Sequence, residues 1–455
     1  MLLGLLLIWF SIFLIRQTPL HQPVNAYLKL WTVLEDEASF TKLVQKFAAQ
    51  NNVRVQTRNF TDLENYQQTL LLELAAGTGP DIVYLHYTWL PKYQKLLTPL
   101  PTQQLGYTAN NVATDFLDAV GSSVLFPTEQ TQNRQTATES EPFEILALPS
   151  YVDSLALFYY KPLFREVLAK PYALPGATWT EVQNDAIALT IRDPDSPNYF
   201  QRSGLAIGRT DNITQGRNLL LNLYLQLGGE DLMAFQQESR LNQKNQKFNP
   251  LSAALDFGTS FTRNPRQKEF LWHAELAQTP AKEITEFARG KVAMIAGDST
   301  YLTKIQNAIT ELKQTNIATI DFAEVEIAPL PQFNDPTKAG RQIVLADFFA
   351  LAVPKNSKNP IYAWQLILDL TSAAAQTEYH KKTRRPASRR ALITEQKQEK
   401  LTGVFAHQAV FAKSLYLTDF EKAFASLDQA INQIADGQLT ISSALNFLQK
   451  EFSKL

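Results

Sequence analysis

Strands and helices alternate over residues 27–85, and few architectures accommodate that order. Residues 27–33 alternate in hydrophobicity, and residues 40–47 then place apolar side chains at helical spacing. A short strand at residues 53–55 and a further helix lead to a third strand at residues 81–85. Parallel strands need such crossover helices, so this order predicts an α/β fold with a parallel, doubly wound sheet.

Length and composition limit the number of domains and the available chemistry. Single hydrophobic cores stop growing near ~250–300 residues, so a chain of 455 residues is expected to form two lobes or domains. The formal net charge of −1 provides no general attraction for nucleic acid. The lack of cysteine excludes disulfides and thiolate chemistry, and the five histidines show no metal-binding spacing. We therefore expect neither a metal nor a cofactor.

The beginning of the chain is apolar: residues 1–15 carry no charge, and Arg16 follows them. We interpret residues 1–16 as an uncleaved signal-anchor, a transmembrane helix that holds the protein at the membrane. A cleaved signal peptide and a buried helix are the alternatives, because a typical span has about 17–25 residues. Residues 17–26 form a polar spacer, and residues 127–142 form a polar surface insertion.

Five segments carry a resemblance to a known family. They are, in order, residues 73–82 (ELAAGTGPDI), 148–161 (LPSYVDSLALFYYK), 177–181 (ATWTE), 287–301 (FARGKVAMIAGDSTY) and 328–331 (APLP), the last followed by a return strand at residues 343–353. In this order they are similar to the family 1 extracellular solute-binding proteins, the maltose-binding-protein type. The second segment departs from the family pattern, which reads Tyr-Asn where this chain has Tyr159-Tyr160.

The resemblance implies a two-lobed periplasmic-binding-protein-like fold with a hinge and an interlobe cleft, preceded here by the N-terminal hydrophobic helix. Lobe 1 would comprise residues 27–148 and 348–386, and lobe 2 residues 149–347 and 387–455. It also implies an extracytoplasmic receptor of an ABC importer. Such a receptor is a monomer that binds a sugar or oligosaccharide between its lobes and delivers it to permease subunits. It is tethered to the outer face of the cell membrane, or secreted if residues 1–16 are removed.

Ligands of open α/β sheets lie beyond the carboxyl ends of the strands, so residues at those ends are the first candidates for the site. Glu35 and Asp36 follow the first strand, where a carboxylate can accept hydrogen bonds from two sugar hydroxyls. An acidic first turn favoured by the helix dipole is the alternative. His86, Tyr87 and Trp89 follow the third strand and offer an aromatic face to a sugar ring. Core packing is the alternative for Trp89.

The expected passages between the lobes supply further candidates. Tyr151 and Asp153 lie in the segment that resembles the family's hinge crossing, and Asp347 lies at the recrossing, where the family has small residues. Arg385 belongs to the basic run of residues 380–390, part of which resembles the family's return to the cleft. If Arg385 reaches the ligand, an acidic sugar or a phosphate fits the site. A solvated basic face is the alternative.

The last candidates come from the expected second lobe. Trp272 stands where the family often has a stacking aromatic. Asp298, Ser299 and Tyr301 follow the apolar strand of residues 291–295 and combine polar groups with an aromatic ring. Sugar recognition needs both, because the ring has an apolar face and its hydroxyls need fixed partners. We predict that these four residues contact the ligand.

Two other classes of function stay open. The sequence lacks the motifs of serine hydrolases, zinc proteases, P-loop enzymes and dinucleotide-binding enzymes. A glycosidase, however, needs only two carboxyl groups about 5–10 Å apart across the scissile bond. A cleft-containing, glycan-active enzyme is therefore the first alternative. A surface receptor for a peptide or a protein, without a transporter, is the second.

Overall fold

A computed structural model describes most of the chain. The described residues are 25–35, 37–128, 143–193, 200–235, 240–241, 247–276, 282–334, 342–415 and 419–455. The predicted signal-anchor at residues 1–16, the candidate Asp36 and residues 129–142 of the predicted insertion lie outside them. Over the described ranges, no helix combines the length and the apolar character that a bilayer span requires.

Short strands and α-helices follow one another along the described chain. The strands are β1 (Ala26–Val33), β2 (Val53–Phe60), β3 (Val83–His86), β4 (Leu125–Pro127), β5 (Phe143–Ile145), β6 (Ala147–Pro149), β7 (Ala156–Tyr160), β8 (Ile191–Arg192), β9 (Phe200–Arg202), β10 (Arg240–Leu241), β11 (Lys247–Phe248), β12 (Met294–Gly297), β13 (Val325–Ala328), β14 (Val344–Leu345), β15 (Phe349–Ala352) and β16 (Ala412–Lys413). The α-helices are α1 (Glu37–Asn51), α2 (Leu63–Ala76), α3 (Leu90–Tyr93), α4 (Thr102–Leu105), α5 (Ala109–Asp115), α6 (Asp118–Val124), α7 (Trp179–Leu189), α8 (Gly216–Gln226), α9 (Pro250–Arg263), α10 (Lys282–Ala288), α11 (Tyr301–Gln314), α12 (Pro360–Leu370), α13 (Ala373–Thr383), α14 (Arg390–Gln396), α15 (Gly403–Ala409), α16 (Phe420–Ala435) and α17 (Ile441–Phe452).

The N-terminal strands and helices adopt the parallel arrangement that their order predicts. β1 and β2 pair in parallel along their whole length, and α1 connects them. Asp62 caps the beginning of α2, and Gly77 ends it with a φ of 72°, a left-handed conformation that glycine adopts without strain. The chain then returns beside β1 through a parallel bridge between Leu30 and Ile82. This part of the expectation is confirmed.

Strand β15 makes the sheet mixed rather than parallel. It lies between β3 and β6 and runs antiparallel to both, with Phe349 opposite His86 and Ala350 opposite Pro149. The expectation of an all-parallel sheet is wrong here, because β15 comes from a distant part of the chain and enters at the edge where β3 ends. An antiparallel neighbour needs no crossover helix. We call the set β2–β1–β3–β15–β6 sheet A.

A second sheet, sheet B, contains β12, β7 and β13 in that order, and its pairs are antiparallel. All of β12 is buried, and it shares an apolar cluster with Phe158 of β7 and with Tyr301 and Ile305 of α11. Each such apolar side chain contributes roughly 1.5–3 kcal/mol on burial. The larger apolar cluster covers sheet A and continues through Val152 and Leu155 to the helices beside sheet B.

Two extended segments connect the sheets and lie side by side. Residues 150–155 lead from β6 in sheet A to β7 in sheet B, and residues 346–348 lead from β14 into β15. The backbones of Asp153 and Asp347 exchange two hydrogen bonds of 2.9 Å each. Tyr151 forms an antiparallel bridge with Ala387, beside a 3.1 Å hydrogen bond from the backbone N–H of Val152 to the carbonyl of Pro386. The ends of β3 and β12 therefore lie on opposite sides of these crossing segments.

Candidate functional site

A continuous series of hydrogen bonds runs from sheet A to sheet B beside the crossing segments. His86 at the end of β3 places Nε2 2.9 Å from Oδ1 of Asp347. Asn218 donates from Nδ2 to Oδ2 of Asp347 at 3.5 Å and to Oε1 of Gln215 at 2.8 Å. Gln215 then donates to Oδ2 of Asp298, directly after β12, at 2.7 Å. We call these five residues the bridging chain.

Helix α8 positions the central members of the bridging chain. The polar side chains of Asn218, Asn222 and Gln226 recur along one face of a mainly apolar helix, and the last two are buried. Asn222 accepts a hydrogen bond from the backbone of Leu345, and Gln226 donates to the carbonyl of Ile343. Buried polar groups need such partners, so the face is fixed against the strand that leads to Asp347.

On the sheet A side, Glu35 is the centre of a buried network. Its carboxylate accepts hydrogen bonds from Tyr84 at 2.8 Å, from Tyr379 at 2.7 Å and from Arg385 at 2.5 Å. The guanidinium of Arg385 also lies over the ring of Tyr151, 4.4 Å from its centroid. The structure thus brings together Glu35, Tyr151 and Arg385, three residues that the sequence singles out separately.

Burial and charge act in opposite directions on the groups of this network. Burial and the nearby carboxylate of Glu35 raise the pKa of Tyr84 well above its usual range. Burial acts to lower the pKa of Arg385, yet Tyr151, Tyr379 and Glu35 together hold it well above the usual value. Arg385 is therefore a permanent cation, and the Glu35 carboxylate beside it balances that charge.

The two aspartates of the crossing segments titrate differently. Burial, together with the charge of Asp298, raises the pKa of Asp153 to about 7, although Ser299 and Ser154 donate hydrogen bonds to it. Burial also acts to raise the pKa of Asp347, but the hydrogen bond and charge of His86 hold it below the usual value. Asp347 is thus an ionised acceptor in the bridging chain.

The remaining aromatic candidates are buried. Trp272 donates from its indole N–H to Asn212 at 2.9 Å, and Tyr301 donates to Glu283 at 2.8 Å, both within the apolar cluster of sheet B. Trp89 stacks on Phe420, with ring centroids 5.2 Å apart. Neither Trp272 nor Tyr301 exposes a ring face in this structure, and their predicted ligand contacts stay predictions.

Tyr87 and Ser299 have structural partners of their own. The ring of Tyr87 stacks on Phe348, with centroids 4.9 Å apart, and its hydroxyl accepts a 3.4 Å hydrogen bond from the backbone of Leu415. Ser299 donates from its backbone N–H and its hydroxyl to Asp153. Both residues therefore hold the crossing segments against the two strand ends.

Sequence reasoning missed one group of side chains beside Asp347. Arg217, at the beginning of α8, places its guanidinium 4.4 Å from the ring centroid of Phe424 and its Nε 3.4 Å from Oδ1 of Asp428. Arg217 Nε and Asp428 Oδ1 are both buried and make no hydrogen bond within the described part of the chain. Phe420, Phe424 and Asp428 are four residues apart and therefore lie on one face of α16. This spacing is the sequence feature that could have revealed the group.

No metal centre accompanies these residues in the described ranges: no group of three or more His, Cys, Asp or Glu side chains has the arrangement to hold an ion. The chemistry available is hydrogen bonding from fixed amides and carboxylates, with two arginines and aromatic rings nearby. Such groups recognise a polar small molecule by its donors and acceptors.

Two sheets joined by paired crossings, with polar groups converging from both sheets, define a receptor of the solute-binding class. The chain belongs to the bacterial extracellular solute-binding proteins, whose family model matches residues 31–377. It is accordingly a solute-binding protein of the ABC-transporter type. No curated protein sequence matches the chain.

Solved structures of sugar-binding proteins share the fold. The sugar-binding protein MalE from Xanthomonas citri has a TM-score of 0.68 and 19% identity, over 94% of this chain and 98% of its own. The GacH receptor of Streptomyces glaucescens, solved unliganded and with acarbose, has a TM-score of 0.67 and 16% identity, over 95% and 98%. Maltose-bound MalE3 of T. maritima has a TM-score of 0.66 and 16% identity, over 94% and 100%. At these identities the likeness establishes the fold.

Proposed function

We propose that the protein binds a carbohydrate-type ligand between two lobes and delivers it to the permease of an ABC importer. The proposed lobes are residues 27–148 with 348–386 and residues 149–347 with 387–455. The observation that carries the proposal is the bridging chain, in which side chains from both sides of the crossing segments already meet. The similar GacH receptor and MalE3 were solved with acarbose and with maltose, respectively, which supports a sugar.

We place the ligand against the weakest contacts of this region. The Asn218–Asp347 hydrogen bond is 3.5 Å long, and Arg217 and Asp428 are 3.4 Å apart without a hydrogen bond between the two closest atoms. Sugar hydroxyls both donate and accept, so they would satisfy these atoms. Half-buried Phe424 supplies an aromatic face for the apolar side of a ring.

The proposed ligand is uncharged. Arg385 was the residue that favoured an acidic sugar or a phosphate, but Glu35 already pairs with it at 2.5 Å. Binding an anion there would require breaking a buried ion pair, which leaves a carboxylate without its partner. A neutral sugar imposes no such cost.

A ligand that contacts both lobes favours the closed arrangement by its differential affinity for it. The closed receptor then docks on permease subunits as a monomer. In this proposal residues 1–16 tether the receptor to the outer face of the cell membrane. That segment lies outside the described residues, so cleavage and release remain the alternative to be tested on the expressed protein.

We propose binding without catalysis. The pKa of Asp153, about 7, is in the range that suits a general acid. Its oxygens, however, accept hydrogen bonds from Ser154 and Ser299, and the residue is buried between the crossing segments. A general acid must reach the glycosidic oxygen, and Asp153 is held away from solvent. Turnover of any glycan in a reducing-sugar assay would refute this reading.

Thermal-shift screening of the full chain against maltose, maltotriose, mannobiose, acarbose and a set of peptides tests the function. A cognate glycan at 100 times its Kd should stabilise the folded state by about 2.7 kcal/mol and raise Tm. Asn218→Leu should abolish the shift, while Asn110→Leu, at an exposed helix position, should retain it. A Tm that no glycan raises, or a response to peptides alone, would contradict the proposal.

A further inference from the structure

The end of sheet A that lies opposite the crossing segments is formed by loops that contact one another. β1 and β2 both begin there, because they pair in parallel, and β15 ends there, because it runs antiparallel to β3. Asn25 donates from its backbone to Asn52 at 2.8 Å, and Asn359 donates from its side chain to the carbonyl of Tyr27 at 3.2 Å. We call this end the sheet A pole, which comprises residues 25–29, 52–54, 77–81, 95–96 and 354–361.

The sheet A pole carries a group of exposed cations. They are Lys29, Arg54, Lys95, Lys355 and Lys358. The ammonium of Lys29 donates to the carbonyl of Thr78 at 3.2 Å, and the guanidinium of Arg54 donates to the hydroxyl of Tyr27 at 3.3 Å. Within the described ranges, none of the five forms an ion pair with a carboxylate. Their charges are therefore available to an anionic partner.

Two carboxylates at the sheet A pole already have partners within the fold. Asp81 accepts from the backbone of Lys29 at 2.9 Å and from the hydroxyl of Ser357 at 2.7 Å. Glu73 accepts from the hydroxyl of Thr78 at 2.5 Å. Positive charge thus exceeds negative charge at the pole, although the whole chain has a formal net charge of −1. This local excess favours an anionic partner over a neutral one.

Large apolar side chains stand among these cations. Tyr27 is 61% exposed, Leu96 is 45% exposed and Ile361 is 41% exposed. Surfaces that lie in the headgroup region of a bilayer combine basic groups with exposed aromatic and aliphatic side chains. A small soluble anion would pair with the cations and leave the three apolar groups in water. The composition of the pole therefore fits an anionic lipid surface.

The chain also enters the fold at this pole. Residues 17–24 separate the apolar residues 1–16 from Asn25. Eight residues reach at most about 29 Å when fully extended. If residues 1–16 lie in the membrane, as the proposed function holds, the sheet A pole stays within about that distance of the bilayer surface.

We propose that the sheet A pole docks on the anionic phospholipid headgroups of the membrane that holds the tether. Headgroup phosphates pair with the lysines and with Arg54, while Tyr27 and Leu96 enter the headgroup region. The crossing segments lie at the other end of β1, roughly 25 Å from the pole. The docked receptor therefore presents its solute site away from the bilayer. This inference rests on the tether of the proposed function and is independent of the sugar.

The test uses the full chain, which has no native cysteine and so accepts a single fluorescent label. Gln50→Cys places the label beside the pole, at the end of α1, and Thr310→Cys places it on the exposed side of α11. The labelled chain is reconstituted in phosphatidylcholine vesicles that carry a headgroup nitroxide quencher, with or without phosphatidylglycerol. Phosphatidylglycerol should strengthen quenching of the Gln50→Cys label several-fold and leave the Thr310→Cys label unchanged. Raising NaCl from about 0.05 M to about 0.5 M should remove the difference, because salt screens exposed charges.

Charge removal at the pole provides the variant and its control. Lys355→Gln with Lys358→Gln should lower the ratio of docked to undocked receptor roughly twentyfold, because each cation near an anionic lipid surface contributes about fivefold. Lys291→Gln with Lys313→Gln removes two exposed lysines beside sheet B and should leave quenching unchanged. Equal quenching in the two double variants would overturn the docking.

Flotation of the same samples separates this inference from the tether. A chain that floats with both kinds of vesicle, while the Gln50→Cys label stays unquenched, would overturn the docking and leave the tether intact. Flotation with phosphatidylglycerol vesicles alone, lost in the Lys355→Gln and Lys358→Gln variant, would support the docking and contradict the tether. Flotation with neither would contradict both. Quenching that increases with the protein-to-lipid ratio would identify a second copy of the chain as the occupant and overturn docking on lipid.

Discussion

The two sides of the proposed sugar site are held by contacts of different quality. On the sheet A side, the Glu35 side chain is 2% exposed and lies 2.5 Å from Arg385. On the α8 side, Arg217 and Asp428 are each 32% exposed and 3.4 Å apart. The charged groups on the sheet A side already have hydrogen-bond partners, whereas Arg217 and Asp428 can still gain hydrogen bonds from a ligand. We infer that sheet A provides a preorganised wall and that α8 adjusts to the ligand. Because the sheet A side is already ordered, it adds little to the entropic cost of binding.

Removing the centre of the preorganised wall should have the largest effect. Glu35→Ala leaves Arg385 buried without its partner, which typically costs about 3–5 kcal/mol of unfolding free energy. Urea denaturation measures the loss. The double variant Glu35→Gln with Arg385→Met should recover part of it, because no unpaired charge remains. Glu378→Ala, which removes an exposed pair with Lys381, should change stability by less than about 1 kcal/mol. If Glu35→Ala lost as little stability as Glu378→Ala, the inferred difference between the sheet A side and the α8 side would be wrong.

The crossing segment between the two sides should give the next largest effect, as a pH dependence. Burial and Asp298 raise the pKa of Asp153 to about 7, against about 3.9 in an unfolded chain. The folded state therefore keeps a proton that the unfolded chain has lost. The stability from this group is complete below about pH 4 and is lost as pH rises towards 7.

Asp153→Asn should remove that dependence. The unfolding free energy of the variant minus that of the native chain should then rise between pH 5 and 7, by about 1.4 kcal/mol per pH unit at most. Urea titrations at each pH measure the difference. Asp256→Asn, at an exposed pair with Arg263, is the control and should show no such rise. A flat difference for Asp153→Asn would mean that Asp153 stays ionised.

A smaller effect is expected where the two sides meet. Asp347→Asn removes the ionised acceptor of His86 and Asn218, and a sugar hydroxyl bound there loses a charged partner. Hydrogen bonds to charged groups contribute about 1.5–3 kcal/mol, so affinity for the glycan found by the thermal-shift screen should fall roughly tenfold or more. Calorimetry measures the change, with Asp256→Asn as control. Unchanged affinity would place the ligand away from the bridging chain.

Local patterns predicted the parallel part of sheet A well. Periodicity and caps act over a few residues, as in α7, which begins with a capping box formed by Thr178 and Glu181. The antiparallel direction of β15 could not be predicted, because it depends on where a segment distant in sequence enters the sheet. The same reason explains why Arg385 could not be paired with Glu35, which is 350 residues away in the chain.

Sequence reasoning selected candidate residues at strand ends and overlooked those on helix faces. Glu35, His86, Asp298 and Asp347 follow or border strands, and the structure brings them to the crossing region. The polar face of α8 was visible as Asn218, Asn222 and Gln226 in an apolar helix, but its partners come from residues 343–347. Sequence also cannot separate a stacking ring from a core ring, and Trp272 proved to be buried.

The smallest effect should come from the adjustable side. Arg217→Met removes a partly exposed cation whose nearest carboxylate is 3.4 Å away, so the unfolding free energy should change by less than about 1 kcal/mol. Its methylene groups still cover Phe424, which preserves the packing that an alanine would lose. Urea denaturation measures stability, and Arg385→Met is the matched arginine on the other side, expected to lose several-fold more. If both variants lose the same stability, the α8 side is as well ordered as the sheet A side before a ligand binds. The inferred adjustment of α8 to the ligand would then be wrong.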